Sequence, residues 1–189
     1  MLIPALQTLN KHSRMSEIDL TKIGIPADYG KDPYLPKYAE PDDLMDIGPN
    51  IMGRPQQLSG ITVPAWRHMV EAAADDDVQL LIVSGFRSIA DQVRLIIKKL
   101  NDGQHIDDIL RVNTAPGYSQ HHSGRAIDIA TPGIRPLTTE FAESSAFQWL
   151  TRNSASFGFS MPYDLGNIYD IDFEPWHWFF DGIQRHERD

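Results

Sequence analysis

The chain has 189 residues, long enough at roughly 150 residues per domain for one domain with an extension. With 41% hydrophobic and 23% charged residues its composition is that of a soluble globular protein, which excludes disorder and coiled coil. Acidic residues exceed basic ones by 26 to 17, and a net charge of -9 is the wrong sign for a nucleic acid partner.

Cysteine is absent, so disulfides, thiolate metal sites, iron–sulfur clusters and cysteine nucleophiles are excluded together. No apolar run approaches the roughly 18 to 20 residues of a membrane span. The opening MLIPALQTLNKHSRM has no basic stretch before its apolar residues, so no secretory signal is expected. At face value this predicts a cytoplasmic protein, with the cell envelope as the alternative.

Eight of the 13 prolines fall within residues 1–64, and turn-rich clusters such as GIPADYGKDPYLPKY replace any periodicity. Residues 1–59 are therefore read as an irregular N-terminal arm and 60–189 as the main domain. Tyr29, Tyr34, Leu35, Tyr38, Leu44, Met45 and Ile47 are more apolar surface than a free linker carries, so the arm is expected to pack on the body.

From Thr62, a predicted cap, the positions Trp66, Met69, Val70 and Ala73 follow helical spacing. The run 78–84 is short, β-branched and apolar on both alternating sets, as in a strand covered on two faces. Ser88 caps a second predicted helix through Val93, Ile96, Ile97 and Leu100, which Asn101-Asp102-Gly103 stops. Residues 107–110 add a short turn, 126–130 a strand, and Thr138 or Thr139 opens a third helix with Ala142, Ala146, Trp149 and Leu150 inward. Residues 157–161 and 175–180 are expected to pair antiparallel. The mixture lacks βαβ regularity, so the fold class is α+β.

Three of the seven histidines lie in unusual settings. His12, His105 and His186 sit in charged segments and His68 at the edge of a helix face, where solvated roles are the ordinary reading. By contrast, the segment from Ser119 through His121, His122, Gly124 and Ala126 ends in Asp128, an aspartate inside an apolar strand. A carboxylate buried there needs a cation, a metal or several donors. The segment from Asp172 to Trp178 places Glu174 three residues before His177, and Pro175 bends the chain between them. His121, Asp128 and His177 together supply two imidazoles and one carboxylate, a set suited to zinc with one open position; Glu174 is a free carboxylate beside it. Zinc-assisted hydrolysis is the chemistry this predicts. Strand alternation alone pairs His122 with Asp128, but a turn at Ser123-Gly124 resets the register.

The motifs S-x-H-x-x-G-x-A-x-D at 119–128, E-x-W-H at 174–177, and S-G-F-R-S from Ser84 with Gln92 downstream resemble those of the VanY-type D-alanyl-D-alanine carboxypeptidases, over about residues 60 to 180. The family's H-x-x-G spacing selects His121 over His122. The resemblance implies a zinc peptidase of peptidoglycan metabolism on the small α+β fold shared with hedgehog-type domains, with a central antiparallel sheet flanked by helices. It implies His121, Asp128 and His177 as zinc ligands, Glu174 as general base and Arg87 as the cation steadying the oxyanion. Ser119 and Gln92 match positions that bind the substrate's terminal carboxylate. The expected substrate is a peptidoglycan stem peptide or muropeptide ending in D-alanine, and no protein partner is implied. An LD-carboxypeptidase, a lysin-type endopeptidase and a non-catalytic zinc-containing binding module are the alternatives. The chain departs from the common pattern at Pro162, where members often carry arginine before the tyrosine.

Overall fold

The computed structural model describes residues 19–31 and 35–182. The opening segment read for a secretory signal, His12, Tyr34 and His186 lie outside the described residues.

The core forms where the apolar patterning is strongest. Strands β3 (Leu81–Ser84), β4 (Ala126–Ala130), β5 (Phe159–Ser160) and β6 (His177–Phe180) make one antiparallel sheet in the order β3-β4-β6-β5. Helices α1 (Thr62–Asp75) and α4 (Ser145–Asn153) build the main core with it. Ile127 and Ile129 of β4 and Trp178 and Phe180 of β6 meet Trp66, Met69, Trp149 and Leu150 there. Each such side chain contributes about 1.5–3 kcal/mol by leaving water. Because side chains alternate along a strand, Asp128 and His177 take the opposite face. Helices α2 (Ile89–Asn101) and α3 (Ile106–Val112) form a second apolar cluster from Val93, Ile96, Ile97 and Ile109.

Local differences from the predicted elements have identifiable causes. Thr62 does not cap α1; it lies inside the helix, and its Oγ1 is 2.9 Å from Ser59 Oγ. The predicted third helix is split. Thr139–Glu143 is a 3₁₀ turn, and the Ser144 hydroxyl accepts from Phe147 N to start α4. The strand expected at 157–161 shortens because Ser154–Phe157 is also a 3₁₀ turn, closed by Gly158 at φ 78°.

The proline-rich arm contains a hairpin that its composition hides: β1 (Leu44–Pro49) pairs antiparallel with β2 (Pro55–Ser59). A proline ends β1 and another begins β2, positions where a missing amide donor is tolerated. Several of the described residues before position 60 contact the rest of the chain. Ile23 and Ile25 join the α2–α3 cluster, Leu58 is fully buried in the main core, and Tyr29 meets Tyr118 edge-on at 5.3 Å.

Candidate active site

Antiparallel pairing puts Ser84, Asp128 and His177 directly opposite one another across β3, β4 and β6. His177 Nδ1 is 2.9 Å from Asp128 Oδ1, and His121 Nε2 is 3.3 Å from Asp128 Oδ2. His121 comes from the 3₁₀ turn Gln120–Ser123, which Gly124 closes at φ 64°. One ligand atom from each of the three buried residues lies within 4.8 Å of the other two.

Outer hydrogen bonds orient both rings. His121 Nδ1 lies 2.7 Å from Gly85 O, a carbonyl that can only accept, so Nδ1 carries the proton and Nε2 turns a lone pair inward. His177 Nε2 lies 2.9 Å from Gln120 Oε1, while the Gln120 amide nitrogen donates to Tyr38 Oη at 3.5 Å. Nε2 therefore carries the proton and Nδ1 faces Asp128 with its lone pair. Burial raises the Asp128 carboxyl, and positive charge with donated hydrogen bonds at the positions of His121 and His177 lowers it well below the usual carboxylate range; with both ring nitrogens turned inward as acceptors, a bound cation would supply that charge. Converging lone pairs around an ionised carboxylate call for a cation, and two neutral imidazoles with one carboxylate fit zinc with an open position.

His122 points away from this centre. Its Nδ1 donates to Arg87 O at 2.7 Å and its Nε2 accepts from Gly117 N at 3.1 Å. Burial holds it down to about 4, so it stays neutral and can fill both roles. It braces the Arg87 loop. Arg87 Nη1 donates to Gln92 Oε1 at 3.0 Å and Nη2 to Ser84 Oγ at 3.3 Å. Gln92 Nε2 in turn donates to Thr114 O at 2.7 Å. Both polar atoms of buried Gln92 thus hold a partner inside the protein, so from the cavity wall it supports Arg87.

Residues 175 and 176 form a turn, with His177 N donating to Glu174 O at 3.0 Å, and the bend expected at Pro175 brings Glu174 into the cavity lined by His121, Asp128 and His177. Glu174, Arg87 and Ser119 line one cavity of about 320 Å³ with His121, Asp128 and His177. Burial, then the charge of Asp128, pushes the Glu174 carboxyl up to about 9. Ser119 is buried, and its hydroxyl caps no helix.

Sequence reasoning did not single out Gln120, Tyr163 or Lys99. Tyr163 stacks on His177 at 4.7 Å with 24° between planes, and Lys99 lines the cavity from α2. Gln120 sits between two motif positions, and only the fold shows which way its amide turns.

The hairpin supports both motif loops from behind. Phe86 N donates to Gln57 O at 2.8 Å, Gly85 N to Gln56 Oε1 at 2.9 Å and Ser59 N to Gly124 O at 2.9 Å. A Cβ at Gly85 would lie 2.6 Å from Gln57 O, so backbone meets backbone there.

Comparisons with known proteins agree with this geometry. A curated D-alanyl-D-alanine carboxypeptidase of Enterococcus faecalis is 29% identical over 131 residues, 64% of this chain and 47% of that protein. The chain therefore spans about half the length of that relative. Among solved structures, the LdcB LD-carboxypeptidase aligns with a TM-score of 0.65 at 26% identity, over 77% of this chain and 71% of that one. A vancomycin resistance D,D-pentapeptidase VanY variant in complex with Zn(II) aligns with a TM-score of 0.59 at 25% identity, over 79% and 89%. The family described as VanY, D-alanyl-D-alanine carboxypeptidase, matches residues 55–183, which hold both motif loops, the Glu174–His177 turn and strand β2 beneath them. With two thirds of its length matched in this way, the chain belongs to the VanY D-alanyl-D-alanine carboxypeptidase family.

Proposed function

We propose that the protein is a zinc-dependent carboxypeptidase that removes the terminal D-amino acid, D-alanine in the first instance, from peptidoglycan stem peptides or muropeptides. One observation carries this reading: three inward-facing ligand atoms, their rings set by Gly85 O and Gln120, share a cavity with a carboxyl and a guanidinium. The solved VanY relative in complex with Zn(II) supports the choice of metal.

His121, Asp128 and His177 would hold the ion, which supplies Lewis acidity that polarises a carbonyl and acidifies water. Glu174 takes the proton that water gives up as its oxygen adds to the carbonyl carbon. It returns that proton to the amine nitrogen as the C–N bond breaks. The high position of Glu174 reflects burial beside an ionised Asp128; a dication on Asp128 offsets that repulsion and favours the carboxylate the base role requires. Arg87, held on two sides, offers a fixed cation to the negative charge growing on the carbonyl oxygen. A binding module has no use for that pair of groups.

An LD-carboxypeptidase is the second reading, favoured by the likeness to LdcB. Mass spectrometry of products from defined tetra- and pentapeptide muropeptides separates the two. Loss of one residue from the pentapeptide alone marks the DD activity, loss from the tetrapeptide the LD activity, and no product from either overturns both.

A further inference from the structure

Lys99 lies seven residues after Gln92 on α2, two turns along one helix face, and both line the cavity that holds the metal ligands. Its neighbour Lys98 bonds Asp102 at 2.6 Å on the exposed side of the helix. Lys99 makes no ion pair or hydrogen bond among the described residues. It is half-buried, and burial, then the nearby charge of Arg87, lowers its pKa. Glu174 is the nearby charge that favours the ammonium, and a second carboxylate entering the cavity would favour it further.

The reaction proposed above presents two separate negative charges, the oxygen of the reacting carbonyl and the free carboxylate one residue beyond it. Arg87 is committed to the first. Gln92, matched by motif to the second, has both polar atoms occupied by Arg87 and Thr114 O. Of the groups lining the cavity, Lys99 is the one lysine or arginine besides Arg87, and the Ser119 hydroxyl, with no hydrogen bond among the described residues, lies on the same wall.

We propose that Lys99 is a specificity-determining residue whose ammonium receives the free terminal carboxylate of the peptide substrate, with Ser119 as second donor. The assignment rests on the carboxypeptidase reading, and it gives recognition of a free terminus to a charge outside the motif positions.

The test compares a pentapeptide ending in D-alanyl-D-alanine with its C-terminal amide, using the zinc-loaded full chain as wild type, Lys99→Met, Lys99→Arg and Lys98→Met. Turnover is measured directly, and calorimetric binding in the Glu174→Gln background. Lys99→Met is expected to lose about ten- to a hundredfold in kcat/KM and in affinity on the free acid, with no change on the amide. Lys99→Arg should restore the preference for the acid, and Lys98→Met should match wild type. Equal losses on acid and amide mean that Lys99 acts through Glu174 or through folding and overturn the proposal, as does no loss at all. If wild type cleaves neither peptide but the binding difference persists, the carboxypeptidase reading falls and the Lys99 assignment stands. Normal turnover without a binding difference gives the reverse.

Discussion

Oε1 of Gln120 lies 2.9 Å from Nε2 of His177, whose other ring nitrogen is 2.9 Å from Asp128. One side chain thus sets which nitrogen of His177 keeps its lone pair. The amide has its own reference in Tyr38, so the chain of orientation starts in the N-terminal arm and ends at the His121–Asp128–His177 cluster. Gln120→Leu should weaken zinc affinity about ten- to a hundredfold with little change in melting temperature. Competition against a fluorescent chelator reads this directly, and unchanged affinity would remove Gln120 from the site.

Removing the metal should abolish turnover, and zinc should restore it. Folding and binding are linked, so zinc at a hundred times its Kd adds about 2.7 kcal/mol and raises Tm by roughly 5 to 10 °C. His177→Ala should lose that rise. A variant that keeps the full rise would show that the ion sits elsewhere.

Glu174→Gln keeps the size of the side chain and cannot take a proton from water. It should bind zinc normally and lower kcat/KM by about 10²- to 10⁴-fold. Near wild-type rates would assign the base to another group.

Gly124 takes a left-handed turn at φ 64°, and a Cβ there would lie 2.7 Å from Ser59 N on the hairpin. Gly124→Ala therefore combines backbone strain with a clash against backbone, and should cost about 1–3 kcal/mol. It should also lower zinc affinity, because the same turn carries His121. Thermal unfolding and zinc titration check both; wild-type values would mean the hairpin does not fix the turn.

Much was legible without coordinates because it is local. Helical spacing marked Met69 and Ala73 on α1 and Val93 and Ile96 on α2, and both sets are buried. An aspartate within AIDIA announced a buried charge, and that charge restricted its partners to few residues. Motif spacing chose His121 over His122, and the turn at Gly124 is the physical cause. The β1–β2 hairpin was hidden since its few apolar residues are interrupted by glycine and proline, and the core that buries Leu58 and the loops that bond its backbone lie far along the chain.

The sequence by itself determined the chemistry on offer: two imidazoles, two carboxylates and a guanidinium in a cysteine-free chain. Tertiary structure alone decided which of their atoms meet. Strand register set Asp128 against His177, and carbonyl and amide oxygens from other segments oriented the rings. The pairing of Gln92 with Arg87 and the place of Lys99 on the cavity wall also exist only in the fold. Spacing reports which residues share an element. Which way a polar atom turns depends on donors and acceptors brought close by packing from far along the chain.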